Sequence, residues 1–212
     1  RTGKISNYTG KKEVVYSNIM LPDGADLKFQ DRQTLWNAVE EKEKRKNSQL
    51  CKDHILALPK ELPKEQQVSL ARQFAYDHFV RHGLVADIAI HNHVDGNPHA
   101  HILTTTRRLK GSEFAEKARD LNPSFAKGRV VSNDQWGDLW TDYQNAYFIK
   151  HSIDLRVDDK HILPQLHEGS NPNASWLKSE NEQRREEEIQ IALTDPVSVL
   201  NIISNQKAVF TD

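Results

Sequence analysis

The sequence predicts an α+β fold: an antiparallel β-sheet with helices packed on one face. Three observations lead there. The β-favouring apolar runs Leu84 to Ile90 and Ala100 to Thr106 flank the turn signals Asp95-Gly96 and Asn97-Pro98, the pattern of a β-hairpin. Immediately before it, Glu65 to His82 repeats apolar residues (Leu70, Phe74, Phe79, Val80) at roughly helical spacing and meets a natural stop at Gly83. A helix that joins two strands, one of them part of a hairpin, suits helices laid over one side of a sheet.

Taken in order, Val14 to Met20 reads as an early strand and Pro22-Asp23-Gly24 as a turn. Asp31 suits the N-cap of a helix whose stripe is Leu35, Trp36 and Val39. The run Glu40 to Asn47 is dense in alternating charge, which reads as a solvated helix face rather than a DNA contact. Cys51 to Leu58 reads as a strand that ends at Pro59, and the phenylalanines of the 65–82 helix read as core. Past the hairpin, Arg107, Arg108 and Lys110, then Lys117, Arg119, Lys127 and Arg129, lie in what reads as a loop-rich stretch with Asn122-Pro123 and Gly128. Such cations suit phosphate contacts, with Arg107, Arg108 and Lys110 the candidate DNA-binding residues; the same composition equally suits plain solvation.

Ser132 or Asn133 is placed to cap a further helix bearing Trp136, Leu139, Trp140, Tyr143 and Tyr147, an aromatic stripe suited to packing. Residues 151–168 read as irregular. From Asn171 the composition shifts, and Ala174 to Leu193 reads as an exposed connecting helix. The expected organisation is a domain over 1–168, a charged linker helix over 169–194, and the start of a further region over 195–212.

Composition narrows the function. A chain of 212 residues can bury a sizeable core, and 29 Lys plus Arg against 30 Asp plus Glu means that any nucleic-acid surface must be a local patch. Cys51 is the single cysteine, which excludes an internal disulfide and agrees with a reducing compartment. There is no apolar run of the ~20 residues needed to span a bilayer and no signal peptide, so a cytoplasmic location is expected. The chain opens on Arg1 and its one methionine is Met20, so it is expected to be a piece of a longer protein.

The chemistry concentrates between Ile90 and Leu103, which holds four of the ten histidines. Strand side chains alternate, so His99 and His101 share a face. Seven residues separate His91 from His99, an odd number that permits a register with His91 opposite His99 and Ala89 opposite His101. Opposed Cβ atoms are about 4.5–5.5 Å apart and an i,i+2 step is roughly 6.6 Å, so the three rings can share one ion. Ala100 and Ile102 then point into a core, and His93, of opposite parity and in the turn, is left out. Three neutral imidazoles suit Zn, Mn, Fe, Ni or Cu, and an open coordination position would make the site catalytic. Singly, a histidine is more often a surface or hydrogen-bonded residue; convergence is what changes the reading.

The pattern His91-x7-His99-x-His101, with Asn97-Pro98 directly before His99, resembles the signature of the MobA/MobL relaxases, a branch of the HUH endonucleases. Ala57 to Leu62, the helical stretch after it, Val85 to His91, Asn7 to Lys12 and Val14 to Pro22 also look like blocks of that family, closest to the relaxase domain of Ti-plasmid-type relaxase-helicases. The likeness covers residues 1–168; Leu163 to His167 resembles the block that closes the relaxase core, and 195–212 resembles the start of a helicase-like region, though no phosphate-binding Gly-rich loop occurs.

The resemblance implies a ferredoxin-like palm and metal-dependent, site- and strand-specific nicking of a plasmid transfer origin by tyrosine transesterification on single-stranded DNA. It implies His91, His99 and His101 as ligands of a divalent ion (Mg, Mn or Zn), and relaxosome and type IV secretion coupling proteins as partners. Members place a strand and a nucleophilic tyrosine upstream of the block matching Arg1 to Lys12; Tyr8 and Tyr16 do not match that tyrosine and read as packing residues. Members often carry two carboxylates on the 51–58 strand; this sequence has Asp53, with Ile55 in the second position. Asp53 reads either as the acceptor that orients a ligand histidine or as an exposed strand-edge acid. The alternatives are a catalytically incomplete fragment that binds only metal and DNA, and an unrelated three-histidine metalloprotein.

Overall fold

Alternation along the strands decides what each side of the sheet becomes. The computed structural model describes residues 14–92, 97–121, 125–126, 129–130, 134–157 and 175–194. In chain order it contains β1 (Val14–Met20), α1 (Arg32–Lys42), β2 (Cys51–Ala57), α2 (Lys64–His78), β3 (Ala86–His91), β4 (His99–Thr105), β5 (Arg107–Lys110), β6 (Glu113–Lys117), a two-residue strand pair (Phe125–Ala126 with Arg129–Val130), α3 (Asp134–Lys150) and α4 (Ser175–Thr194). The chain divides into two compact units, residues 1–131 and 132–212. In the first, four strands make an antiparallel sheet in the order β1-β3-β4-β2, the expected α+β architecture.

The central strands drive burial on one side. Ile88 faces Ile102, Ile90 faces Ala100, and all four are fully buried, each isoleucine contributing roughly 1.5–3 kcal/mol. α2 covers this side with Leu70 and Phe74. Its Arg72 donates to the Tyr16 hydroxyl at 2.6 Å and to Asn18 Oδ1 at 3.2 Å; these residues lie opposite Ile90 and Ile88. After α2 a single 3-10 turn, Val80–His82, ends at Gly83 with φ 89°, a left-handed conformation that a side chain would strain.

The other side of the sheet carries the histidines at one end and α1 at the other. Asp31 caps α1 by accepting from Thr34 N at 2.8 Å. Arg32 then gives two 2.7 Å bonds to the buried Asp87 carboxylate, and Trp36 Nε1 gives a third at 3.0 Å. Such a bidentate, charge-assisted grip tolerates burial of the carboxylate. Around it Ile19, Phe29, Leu35, Val39, Val85, Leu109 and Phe114 form a second core.

Two expectations are corrected. The stretch after Thr106 begins as a hairpin, β5 with β6, not as loop: Gly111 turns it at φ 57°, and Leu109 faces Phe114 inside. The Glu40 to Asn47 run is exposed as expected except at Glu43, which is buried, and only Glu40 to Lys42 of it is helical. Glu43 follows Leu35 and Val39 at four-residue steps, which places it on the buried stripe. Its carboxylate accepts from Arg107 Nε at 2.7 Å and lies 3.2 Å from Lys117 Nζ. Burial is the strongest single influence and works against its charge, yet the bonds from Arg107 and Lys117 outweigh it and hold the carboxyl below its usual range.

In the second unit α3 buries Trp140, Tyr147 and Phe148, while Asn145 bonds both backbone groups of Val157, at 2.8 and 2.9 Å. α4 leaves Trp176, Ile189 and Leu193 exposed. Among the described residues no helix is long and apolar enough to cross a membrane. The Asp95-Gly96 and Asn122-Pro123 turns, Tyr8, His93, Lys127, Gly128, the Ser132 or Asn133 cap and the 163–167 block lie outside the described residues, as do the segments 1–13 and 195–212.

His54, on the α2 side of β2, stacks on Phe79 with ring centroids 4.5 Å apart, and its Nε2 is 3.3 Å from Thr104 Oγ1. Burial, aided by Lys52, lowers its pKa from 6.5 to about 4. The unfolded chain binds the proton near pH 6.5 and the folded chain only near pH 4, so this stability is complete above pH 6.5 and is lost toward pH 4. We expect urea denaturation to show a loss of about 3 kcal/mol from this residue across that window. His54→Phe should flatten the pH dependence; an unchanged slope would assign the acid sensitivity to other groups.

Candidate metal centre

The hairpin of β3 and β4 takes the register that the histidine spacing permits: His91 opposite His99, and Ala89 opposite His101. Because Ala100 and Ile102 are fully buried on the α2 side, His99 and His101 are turned to the other face. Ring centroids are 5.3 Å apart for His91 and His99, 5.0 Å for His91 and His101, and 5.3 Å for His99 and His101. One ring nitrogen from each lies within 4.8 Å of the other two, so the three could hold a metal ion. Two nitrogens bound to one ion at ~2.1 Å sit no more than ~4.2 Å apart, a closure within reach of side-chain rotation.

The free ring nitrogens can be assigned from their neighbours. His101 Nδ1 lies 3.1 Å from Asp53 Oδ2 and 3.3 Å from Oδ1. An ionised carboxylate only accepts, so Nδ1 donates and Nε2 keeps its lone pair. His99 Nδ1 lies 3.0 Å from the Asn97 carbonyl, which sets the same tautomer. The donor chemistry therefore fits a divalent ion bound through Nε2 of both rings. Asp53 reaches His101 diagonally, because its direct partner on β4 is Leu103 while Ile55 lies opposite His101. Ile55 is 63% exposed, an apolar side chain at the open end of the face.

Other backbone features converge on this end. Leu58 N donates to the Pro98 carbonyl at 2.9 Å, tying the start of β4 to the end of β2. β1 carries a register irregularity between Val14 and Tyr16, next to the Val14 and His91 pair. Tyr16 lies on the opposite side, its hydroxyl bonded to Arg72.

The three candidate DNA-binding cations are all engaged within the fold. Arg107 bonds Glu43 and donates to the Ala115 carbonyl at 3.0 Å. Arg108 donates to the His82 carbonyl at 2.9 Å and to Asp120 at 2.6 Å, and Lys110 lies 3.5 Å from Glu116. Sequence reasoning missed the Asn97 carbonyl as a partner of His99, because a backbone acceptor leaves no side-chain signal. It also missed Glu43, although the four-residue step from Val39 would have revealed it.

Residues 1–178 match the profile described as the MobA/MobL family. "Conjugal transfer protein TraA" of Rhizobium radiobacter is 30% identical, over 100% of this chain and 23% of that protein. "Mobilization protein MobL" of Acidithiobacillus ferridurans is 30% identical over 76% of this chain and 49% of its own length. The chain thus spans about a quarter of the TraA relatives it matches. A solved structure described as "Molecular Basis of Vancomycin Resistance Transfer in Staphylococcus aureus" aligns with TM-score 0.55 and 34% identity, covering 69% of this chain and 76% of that one.

Calorimetric titration with Zn(II) or Mn(II) should give one site per chain, abolished in His99→Ala or His101→Ala. Asp53→Asn should weaken binding by about 10–100-fold, through a misdirected His101 ring. Full affinity in Asp53→Asn would make that residue a strand-edge acid and nothing more.

Proposed function

The chain belongs to the MobA/MobL family, and from that premise we propose that it carries the metal-binding half of a DNA-nicking site that opens a plasmid transfer origin for conjugation. The observation that carries this reading is the convergence of His91, His99 and His101 at one end of one sheet face. In this reading the three imidazoles hold a divalent ion, of which Mg, Mn and Zn are the candidates. Such an ion, when bound, supplies Lewis-acid polarisation of the scissile phosphate.

The chain's own residues prepare that position. Asp53 and the Asn97 carbonyl fix the His101 and His99 rings with Nε2 turned away from their Nδ1 partners. A tyrosine hydroxyl attacks the phosphorus, the P–O3′ bond breaks, and the products are a 5′-phosphotyrosyl link and a free 3′-hydroxyl; resealing is the reverse. We place that tyrosine upstream of Arg1. The position of Tyr16 supports this, since its hydroxyl is held by Arg72 on the side away from the histidines. The substrate strand must be single or locally melted at the nick, and relaxosome and type IV secretion coupling proteins are the partners this activity requires, acting in the cytoplasm.

The test is cleavage of a single-stranded transfer-origin oligonucleotide by this chain, by a version extended upstream, and by the extended version carrying His99→Ala and His101→Ala. A covalent 5′ adduct formed only by the extended, histidine-intact protein is the expected result. Equal cutting by the short chain would move the nucleophile to Tyr8 or Tyr16. Tight metal binding with no cutting by any form would overturn the nicking reading.

A further inference from the structure

A cavity of about 870 Å³ opens between the end of α1, the turn that leads into β2, and β6 with the residues after it. Among the described residues, six cationic side chains line it against two carboxylates. Both carboxylates are already matched. Glu43 is held by Arg107 and Lys117, and Glu116 lies 3.5 Å from Lys110 and 3.9 Å from Arg108. The remaining cations, Lys42, Lys44, Arg45 and Arg119, are exposed and form no ion pair among the described residues. Asn47, Ser48 and Gln49 add neutral hydrogen-bonding groups.

Among the described residues the lining contains no aromatic and no aliphatic residue. That composition does not suit an apolar small molecule, nor stacking of bases. It suits repeated single negative charges presented along a backbone, which lysine, arginine and amide side chains contact without reading sequence. We propose that this cavity seats the phosphodiester backbone of DNA, as a grip separate from the histidine cluster. The choice of DNA as the polyanion rests on the nicking reading; the site itself rests on the cavity and its unmatched charge.

The buried Glu43 is what assembles this surface. It pins β5 and β6 to the end of α1, so Lys117 and Arg119 face the Lys42 to Arg45 segment, nearly seventy-five residues earlier in the chain. Arg107, a DNA candidate by sequence, serves as the clamp. β4 separates the two sites: His99 begins it and Thr105 ends it, on the order of 20 Å of strand.

The experiment compares this chain with Lys44→Gln/Arg45→Gln/Arg119→Gln and with the control Lys60→Gln, whose site is exposed and outside the cavity. The probes are a labelled single strand and a labelled duplex of arbitrary sequence, titrated by anisotropy between about 50 and 200 mM salt. The triple variant should bind every sequence roughly tenfold or more weakly, with the log–log salt slope smaller by about 2 on the single strand and nearly 3 on the duplex. Zn(II) affinity and the circular dichroism spectrum should stay unchanged in it, and the control should bind DNA as the parent does. Unchanged DNA affinity and slope in the triple variant would overturn the proposal. Transfer-origin nicking is measured in parallel with the upstream-extended chain. Nicking with cavity-independent binding removes the cavity alone, whereas cavity-dependent binding without nicking removes the nicking reading alone.

Discussion

The β3–β4 register is the constraint on which the site depends. A strand has a side-chain period of two, so a slip of one residue would send His99 and His101 to the α2 side and bring Ala100 and Ile102 out to solvent. The buried pairs Ile88 with Ile102 and Ile90 with Ala100 make that slip costly. Core packing on one face thus sets the ligand geometry on the other. The histidine cluster is positioned by apolar residues on the opposite face.

The second constraint is electrostatic. Among the described residues of the first unit two carboxylates are buried, Asp87 and Glu43, and each is held by at least one cation from a distant element. Asp87 fastens α1 to β3, while Glu43 fastens β5 and β6 to the end of α1. Removing one partner of such a pair leaves an uncompensated buried charge, which is why these contacts locate the elements strongly even where their net contribution to stability is modest. Both act at the end of the sheet remote from the histidines, where α1 packs.

The histidine cluster was legible because its determinants are local. His91, His99 and His101 lie on adjacent strands of one hairpin, and parity alone decides their face. The β1 strand, the Asp31 cap and the Gly83 stop were legible for the same reason: each is a property of a few consecutive residues. The contact of Asp53 with His101 was legible only as one of two readings, since it spans 48 residues. Glu43 and the β5–β6 hairpin were misread because charge density was weighed above helical phase and strand alternation.

The sequence by itself determined the antiparallel hairpin, the shared face of three imidazoles and the helix that covers the opposite face, since all follow from periodicity and short spacing, while the family rested on resemblance and on the match over residues 1–178. Tertiary structure alone decided which charges meet. Arg32 finds Asp87 across 55 residues and Arg107 finds Glu43 across 64, and only after those pairs form does the remaining positive charge gather beside Lys117 and Arg119. Charge acts through space with no period along the chain, so its pattern becomes readable only when the fold brings distant segments together.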